Sequence, residues 1–469
     1  MKGMNLKEEL NCYIFEFEHL HYMYDYYNGI IIQLTDKTYS ELKQIINNES
    51  VCIEQYPYVQ QLINCGMIYG KRNELINNKE SSTAYLSFAP IYQCNFRCSY
   101  CFGEYGYKYK GKIRQYNDET IIDMLNYFFF TAYPNYQQYR IDFVSGGEPL
   151  LKFNLIQHLI EYVELIKIRY KKNITIWLCT NGSLLSDEIC EYLSKHNISI
   201  GVSLDGCKEV NDKNRIDANG NGTYDLVVNN IKNIFQNRNL SNKFKELWGL
   251  CVASNENCDF IDILKLYNEI GIKNAQIRLV RNEEKYDVEK IIQKYKELSE
   301  FMLESFIQKK WQYIYMILND NNQFGKILKR ILLNQIVIKR CGVGKNKMTI
   351  CPDGSIYPCD SFVGIDEFNL GNINSLNKVY HSIENCEVYK RNICNKCEVN
   401  LLCGGDCFYH SFINCNSIYP PEISFCKIQK YIIKTSIVLR YKMEKYDSKS
   451  VQELIKKVKI KDEYRNAIG

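Results

Sequence analysis

Apolar side chains recur with a period of two at the start of the chain, where Tyr13, Phe15 and Phe17 are interleaved with Ile14, Glu16 and Glu18, and this predicts a strand. A second run, YMYDYY, meets GIIIQL across Asn28-Gly29, a dipeptide suited to a tight hairpin. Thr38 and Glu41 have capping-box spacing for a helix ending near Ile46, and a second helix is expected up to Gly66. Three strands followed by helices make a small module over residues 1–80, closed by the polar stretch KRNELINNKESST.

The period then changes. Short apolar runs at Tyr85–Ala89, Ile141–Val144, Ile174–Cys179, Ile198–Leu204, Leu247–Val252 and Ala275–Val280 alternate with amphipathic segments such as Glu119–Phe130. Repeated strand–helix units predict an α/β fold with a parallel sheet, and six of them fit a partial (β/α)6 TIM-like barrel over residues 81–285. Sites in such folds lie at the C-terminal ends of the strands. Residues 286–340 read as a charged helical connector, 341–430 as a loop-rich domain crowded with cysteine, and 431–469 as a basic helical tail.

Composition narrows the function. At 469 residues the chain is long enough for two or three domains, and 46% hydrophobic with 24% charged residues excludes a disordered protein. The 59 basic and 54 acidic residues nearly balance, which argues against nucleic acid as a partner. No run is apolar enough for a membrane span and the first residues lack a signal-peptide core, so a cytoplasmic location is expected. There, 21 cysteines point to metal rather than disulfides. The abundant tyrosine reads as genomic drift.

In CNFRCSYC, Cys94, Cys98 and Cys101 follow the first barrel strand directly. Three thiolates at this spacing suit three irons of a four-iron cluster and leave the fourth iron free for another ligand; a zinc loop or buried structural cysteines are the plainer alternatives. This motif, with Tyr100 before its last cysteine, resembles the signature of radical S-adenosylmethionine (SAM) enzymes. The resemblance implies that the free iron chelates the methionine end of the cofactor, which is cleaved to a 5′-deoxyadenosyl radical. It extends to Gly146, Gly147 and Glu148 after the second strand, Asn181 after the third, and Ser203 and Asp205 after the fourth. By the same resemblance Arg215 would pair with the methionine carboxylate, and Leu279 would lie against adenine; a surface arginine and a packed strand residue are the ordinary readings.

Further on, Cys341, Cys359, Cys394, Cys397, Cys403, Cys407 and Cys426 follow the order of the SPASM extension. That resemblance implies two auxiliary four-iron clusters, an inner one on Cys341, Cys359 and Cys407 and an outer one on Cys394, Cys397, Cys403 and Cys426. A zinc ribbon over Cys394–Cys407 is the competing reading. Relatives with eight auxiliary ligands carry a further cysteine about six residues after the first, where this chain has Lys347. Cys351 is then either a fourth inner ligand or no ligand at all.

Taken together, these features predict three 4Fe-4S clusters, bound SAM, and an enzyme that installs a cysteine thioether in a ribosomally made, Cys-containing precursor peptide. An electron donor of flavodoxin or ferredoxin type is required. The N-terminal module, similar to the winged-helix elements of peptide maturases, would bind a leader by strand addition. A sulfatase-activating dehydrogenase and a carbon–carbon cross-linking maturase are the alternatives within the class, and an iron–sulfur electron carrier or redox sensor the alternative outside it.

Overall fold

The computed structural model describes residues 10–47, 53–68, 83–144, 146–237, 247–281, 285–318, 323–375, 383 and 386–468, and among residues 462–468 only the backbone. The expected polar boundary at KRNELINNKESST lies almost wholly outside these residues. In the N-terminal module, β1 (Cys12–Phe17), β2 (Leu20–Asp25) and β3 (Ile31–Leu34) form an antiparallel sheet in that order. Register pairs Tyr13 with Tyr24 and Phe15 with Tyr22, so strand alternation gathers these rings on one face. The tight turn is at Glu18-His19, both at positive φ, whereas Asn28-Gly29 belongs to a longer loop held by the Asp25 carboxylate, which accepts from Tyr27 N–H at 2.8 Å. Helices α1 (Asp36–Asn47) and α2 (Pro57–Asn64) cover the opposite face around Met23, Leu42 and Val59.

The capping box at Thr38 and Glu41 does not form. Thr35 Oγ1 accepts the Thr38 N–H at 3.2 Å, placing the cap one turn earlier, and Glu41 reaches across to accept the first free N–H groups of α2, from Tyr58 (3.0 Å) and Val59 (3.1 Å).

All six barrel strands form where apolar runs predict them: β4 (Thr83–Phe88), β5 (Gln138–Phe143), β6 (Asn173–Thr180), β7 (Ser199–Ser203), β8 (Leu247–Ala253) and β9 (Asn274–Leu279). They are parallel neighbours in chain order. The helix expected at Glu119–Phe130 runs over Asp118–Asn126 and continues as a π-helical turn, Tyr127–Ala132. Beyond β4 the sheet gains β10 (Lys347–Ile350), parallel to β4, followed by antiparallel β11 (Ser355–Tyr357) and β12 (Gly371–Asn372). The cysteine-rich segment is therefore hydrogen-bonded into the barrel sheet.

The connector contributes α3 (Val288–Ile307) and α4 (Gln323–Leu332). The basic tail is part of α5 (Ile423–Ile468), which is broken at Asp447 and already begins before Cys426. Ile428, Ile432, Ile433 and Ile437 of α5 are buried, and Tyr431 and Tyr441 meet Phe17 and Tyr22 of the N-terminal sheet at ring distances of 5.8 and 5.6 Å. No described helix is long and apolar enough to cross a membrane.

Candidate active site and cluster-binding cysteines

The loop after β4 is tied down by backbone. Arg97 N–H donates to the Ile216 carbonyl at 2.7 Å, Ser99 N–H to Asn214 at 2.9 Å, and Ala218 N–H to Asn95 at 3.0 Å, so the segment carrying Arg215 is clipped to the cysteine loop. Cys94, Cys98 and Cys101 all lie within electrostatic reach of one another. The Phe96 N–H points at Cys94 Sγ and the Tyr105 N–H at Cys101 Sγ, each at 3.4 Å, with Glu104 and Tyr105 at positive φ to make the second approach. Burial pushes the Cys94 thiol up to about 12, against the opposing effect of the Phe96 N–H. A thiol in such a place ionises when metal replaces its proton. A cluster in which each thiolate binds its own iron needs three thiols close together with donors to their sulfurs. The donors aimed at sulfur and the apposed thiols fit a 4Fe-4S cluster.

The glycines after β5 are required by space. A Cβ on Gly147 would stand 2.1 Å from the Ile91 carbonyl oxygen, and one on Gly146, at φ +100°, 2.6 Å from the Tyr92 ring. Glu148, buried, accepts from Asn181 N–H (2.7 Å), Thr180 Oγ1 (2.7 Å) and Leu150 N–H (3.1 Å), while its own N–H donates to the Gln93 carbonyl. It joins three strand-end loops. Burial raises its pKa to about 7 despite these donors. Because the folded value lies above the unfolded one, the stabilisation is complete below about pH 4.5 and is lost as pH rises through 7. Cluster-free protein should lose about 3 kcal/mol of stability across that window. Glu148→Gln should flatten the slope in urea melts collected at several pH values; an unchanged slope would reject the assignment.

Arg215 is not a surface residue; it is 6% exposed. Its Nε and Nη2 meet the two Asp205 oxygens at 3.0 and 3.3 Å, and Nη1 lies 3.8 Å from Cys98 Sγ. Asp205, fully buried, also accepts from the Tyr100 hydroxyl and from Val252 N–H at 3.0 Å. Asn181 Nδ2 donates to Asn95 Oδ1 at 2.8 Å and lies 3.8 Å from Cys94 Sγ. Ser203, half-buried, ends β7, and Leu279 ends β9 packed in the core.

The auxiliary cysteines separate into the two expected groups. Cys359 has Cys407 and Cys341 as neighbours, and Cys426 has Cys403, Cys394 and Cys397. Cys351 joins neither: it is buried, with Sγ 3.4 Å from the Tyr92 hydroxyl and with Ser355 and Asp353 beside it. Lys347 lies near Cys341 and Cys359 with its ammonium on Asp360 at 3.1 Å. Cys386 is close to Cys341, but its thiol faces the carbonyls of Ile383 (2.9 Å) and Val343 (3.3 Å).

Between Gly146 and Gly103 on the barrel side and Thr349, Asp360 and Val363 on the auxiliary side lies a small, partly open cleft. Lys108 and Asp360 are its charged lining residues. Lys108 donates to the Ser361 carbonyl at 2.6 Å and the Tyr409 hydroxyl at 3.2 Å, and burial lowers its pKa to about 8. Asp360 accepts from Ser87 Oγ and Lys347 Nζ, both at 3.1 Å. Asp360 thus places a carboxylate, tied to Ser87 and Lys347, at the edge of the cleft. Sequence reasoning missed both residues; the available signal for Asp360 was an acid directly after a ligand-spaced cysteine.

Comparison with known protein families matches residues 89–243 to the radical SAM superfamily and residues 341–399 to SPASM, an iron-sulfur cluster-binding domain. The chain carries a radical SAM domain and a SPASM domain. These domains imply 4Fe-4S clusters and SAM. The radical SAM domain contains Cys94, Cys98, Cys101, Glu148 and Arg215, and the SPASM match begins at Cys341. A cysteine-type anaerobic sulfatase-maturating enzyme of Clostridium novyi is 27% identical over 67% of this chain and 84% of its own length. The radical SAM cyclopropyl synthase TigE of Paramaledivibacter caminithermalis is 25% identical over 76% of this chain and 74% of its own. A solved structure of anSMEcpe with bound AdoMet and Cp18Cys peptide shares the fold, with TM-score 0.60 and 23% identity over 78% of this chain and all of that one.

Proposed function

We propose that this chain is a maturase that acts on a ribosomally made, Cys-containing peptide and forms a thioether cross-link. The reading rests on one observation: a cleft lined on one side by Phe102 and Gly103, directly after Cys101, and on the other by Asp360, directly after Cys359. In it, Cys94, Cys98 and Cys101 hold the SAM-binding cluster, and the two auxiliary groups hold one cluster each, making three. When bound, these groups supply the hydrogen-abstracting 5′-deoxyadenosyl radical and an acceptor for the second electron. The chain's own residues orient and protect. Gly146 and Gly147 let backbone approach the cofactor, Glu148 and Asn181 fix the strand-end loops around it, and Arg215, locked by Asp205 and Tyr100, presents Nη1 beside Cys98. Ser203 and Leu279 close the nucleoside side. Asp360 receives the proton that the substrate gives up.

Sulfatase-type oxidation is the second reading, favoured by the named sulfatase-maturating relatives. Mass spectrometry separates the products after reaction with a Cys-containing peptide encoded beside this gene. A thioether loses two hydrogens and the alkylatable thiol; a carbon–carbon link loses two hydrogens and keeps the thiol; cysteine oxidation to an aldehyde loses sulfur. A product that retains its free thiol sinks the thioether reading.

The inner group has three cysteines in reach and a lysine where an eighth ligand would stand, so we infer an open iron there, able to bind a substrate thiol. Cys351→Ser and Cys386→Ser should each keep the iron content, and a Cys-containing peptide should change the auxiliary electron paramagnetic resonance signal. Loss of one cluster in either variant, with no response of wild type to peptide thiol, would show the site closed.

For residues 1–80 we propose leader binding at the β3 edge, which has one strand neighbour, β2. Truncation is a poor test, because Tyr13, Phe15, Tyr22 and Tyr24 belong to the main core. Hydrogen exchange on the whole protein is better. Added precursor should protect amides of Ile31–Leu34, and unchanged exchange there at saturating peptide argues for a purely structural module.

A further inference from the structure

Arg391 is sealed inside the SPASM domain, 2% exposed, three residues before Cys394. Its guanidinium carbon lies 4.2 Å from the Phe408 ring centroid, and Nη2 donates to the Cys386 carbonyl at 2.9 Å. Among the described residues Nε and Nη1 have no hydrogen-bond partner. The room it occupies exists because residue 405 is glycine: a Cβ there would stand 2.6 Å from Nη1. Asp406, next along the chain, is committed elsewhere, with one oxygen on the Cys407 N–H (2.6 Å) and the other on His410 Nδ1 (2.8 Å) and the Glu422 N–H (3.2 Å).

A buried guanidinium with two nitrogens unmet among the described residues is a costly arrangement for a core. Something anionic belongs beside it. Cys394 is within its electrostatic reach, and the Gly404-Gly405 turn it fills joins Cys403 of the outer group to Cys407 of the inner one. A four-iron cluster with four thiolate ligands carries net negative charge and supplies what the cation lacks; a nearby fixed charge is one of the means by which a protein sets a cluster's potential.

We propose that Arg391 is the buried counter-charge of the outer auxiliary cluster, a positioning residue that makes that cluster easier to reduce and so draws an electron outward from the cleft. The inference rests on reading Cys394, Cys397, Cys403 and Cys426 as that cluster's ligands. Its orphaned donors belong to the cluster-free fold and find their partner only when the cluster is present.

The test is a potentiometric titration followed by electron paramagnetic resonance. Reconstituted protein carrying Cys94, Cys98 and Cys101→Ala is used as background so that only auxiliary clusters report. Arg391→Met should make reduction of one auxiliary cluster at least tenfold less favourable, about 59 mV for a one-electron couple, while Arg391→Lys keeps most of the wild-type value. Both midpoints unmoved in Arg391→Met with iron retained, or an equal shift in Arg391→Lys, would overturn the proposal. If Arg391→Met fails to hold the outer cluster, urea melts of the cluster-free proteins decide. Greater resistance than cluster-free wild type supports an uncompensated charge, and lower resistance shows that Arg391 serves packing alone. A background protein that never binds two clusters would instead refute the ligand assignment.

Discussion

Replacing Cys94, Cys98 and Cys101 together with alanine should abolish reductive cleavage of SAM and leave the protein folded with two clusters, about eight irons. The physical reason is that three thiolates are the fewest that anchor a four-iron cluster while leaving an iron for the cofactor. The structure adds why the rest should survive. The loop is held by backbone hydrogen bonds from Arg97, Ser99 and Ala218 to the 214–216 and 95 carbonyls, none of which involves a cysteine side chain. Both auxiliary groups lie in the cysteine-rich segment, which is attached through β10 to the barrel edge. Anaerobic reconstitution, iron and sulfide analysis, and chromatography for 5′-deoxyadenosine read the result. Continued release of 5′-deoxyadenosine by the triple variant would remove these cysteines from the chemistry, and a fall to one cluster or none would mean that the groups are not independent.

The features legible in the sequence were those written in local order. Each barrel strand is a short apolar run between amphipathic helices, and a run such as Ile174–Cys179 has no other stable use than a buried parallel strand. The cysteine motifs were likewise local; their division into two groups came from the SPASM resemblance, and in the fold Cys359 lies near Cys341 and Cys407, and Cys426 near Cys394, Cys397 and Cys403. What was not legible depends on distant partners. Thr38 and Glu41 have capping-box spacing, yet Thr35 takes the cap and Glu41 finds better-placed donors on another helix at Tyr58 and Val59. The pairing of β10 with β4 joins residues far apart in the chain, so a tetrapeptide such as KMTI gave no hint that it extends the barrel. Reading the tail as basic and helical did not show that Ile432, Ile433 and Ile437 make one buried face of α5, which packs against α3 and the N-terminal sheet. Arg391 and Lys108 were not picked out, because burial of a long charged side chain has no signature in one sequence.

The second large effect should come from Asp205. Its carboxylate holds Arg215 in a two-point pair and accepts from the Tyr100 hydroxyl and the Val252 N–H, all in a site with almost no solvent. Asp205→Ala leaves a guanidinium, a phenol and a backbone N–H without that acceptor. Breaking one side of a buried ion pair costs roughly 3–5 kcal/mol, and a urea melt of the cluster-free protein should register most of it. Arg215→Met alone should also destabilise, by stranding the carboxylate. The double variant Asp205→Leu with Arg215→Met removes both charges and should recover much of the loss, since apolar replacement of a whole buried pair is often near neutral. That recovery separates the two jobs of the pair. The double variant should fold and still bind its auxiliary clusters, yet fail to bind SAM if, as we propose, Arg215 Nη1, 3.8 Å from Cys98 Sγ, meets the cofactor's carboxylate. Equilibrium dialysis with SAM reads the second job independently of stability. Wild-type affinity in the recovered double variant would show that Arg215 braces the cysteine loop and takes no part in cofactor binding.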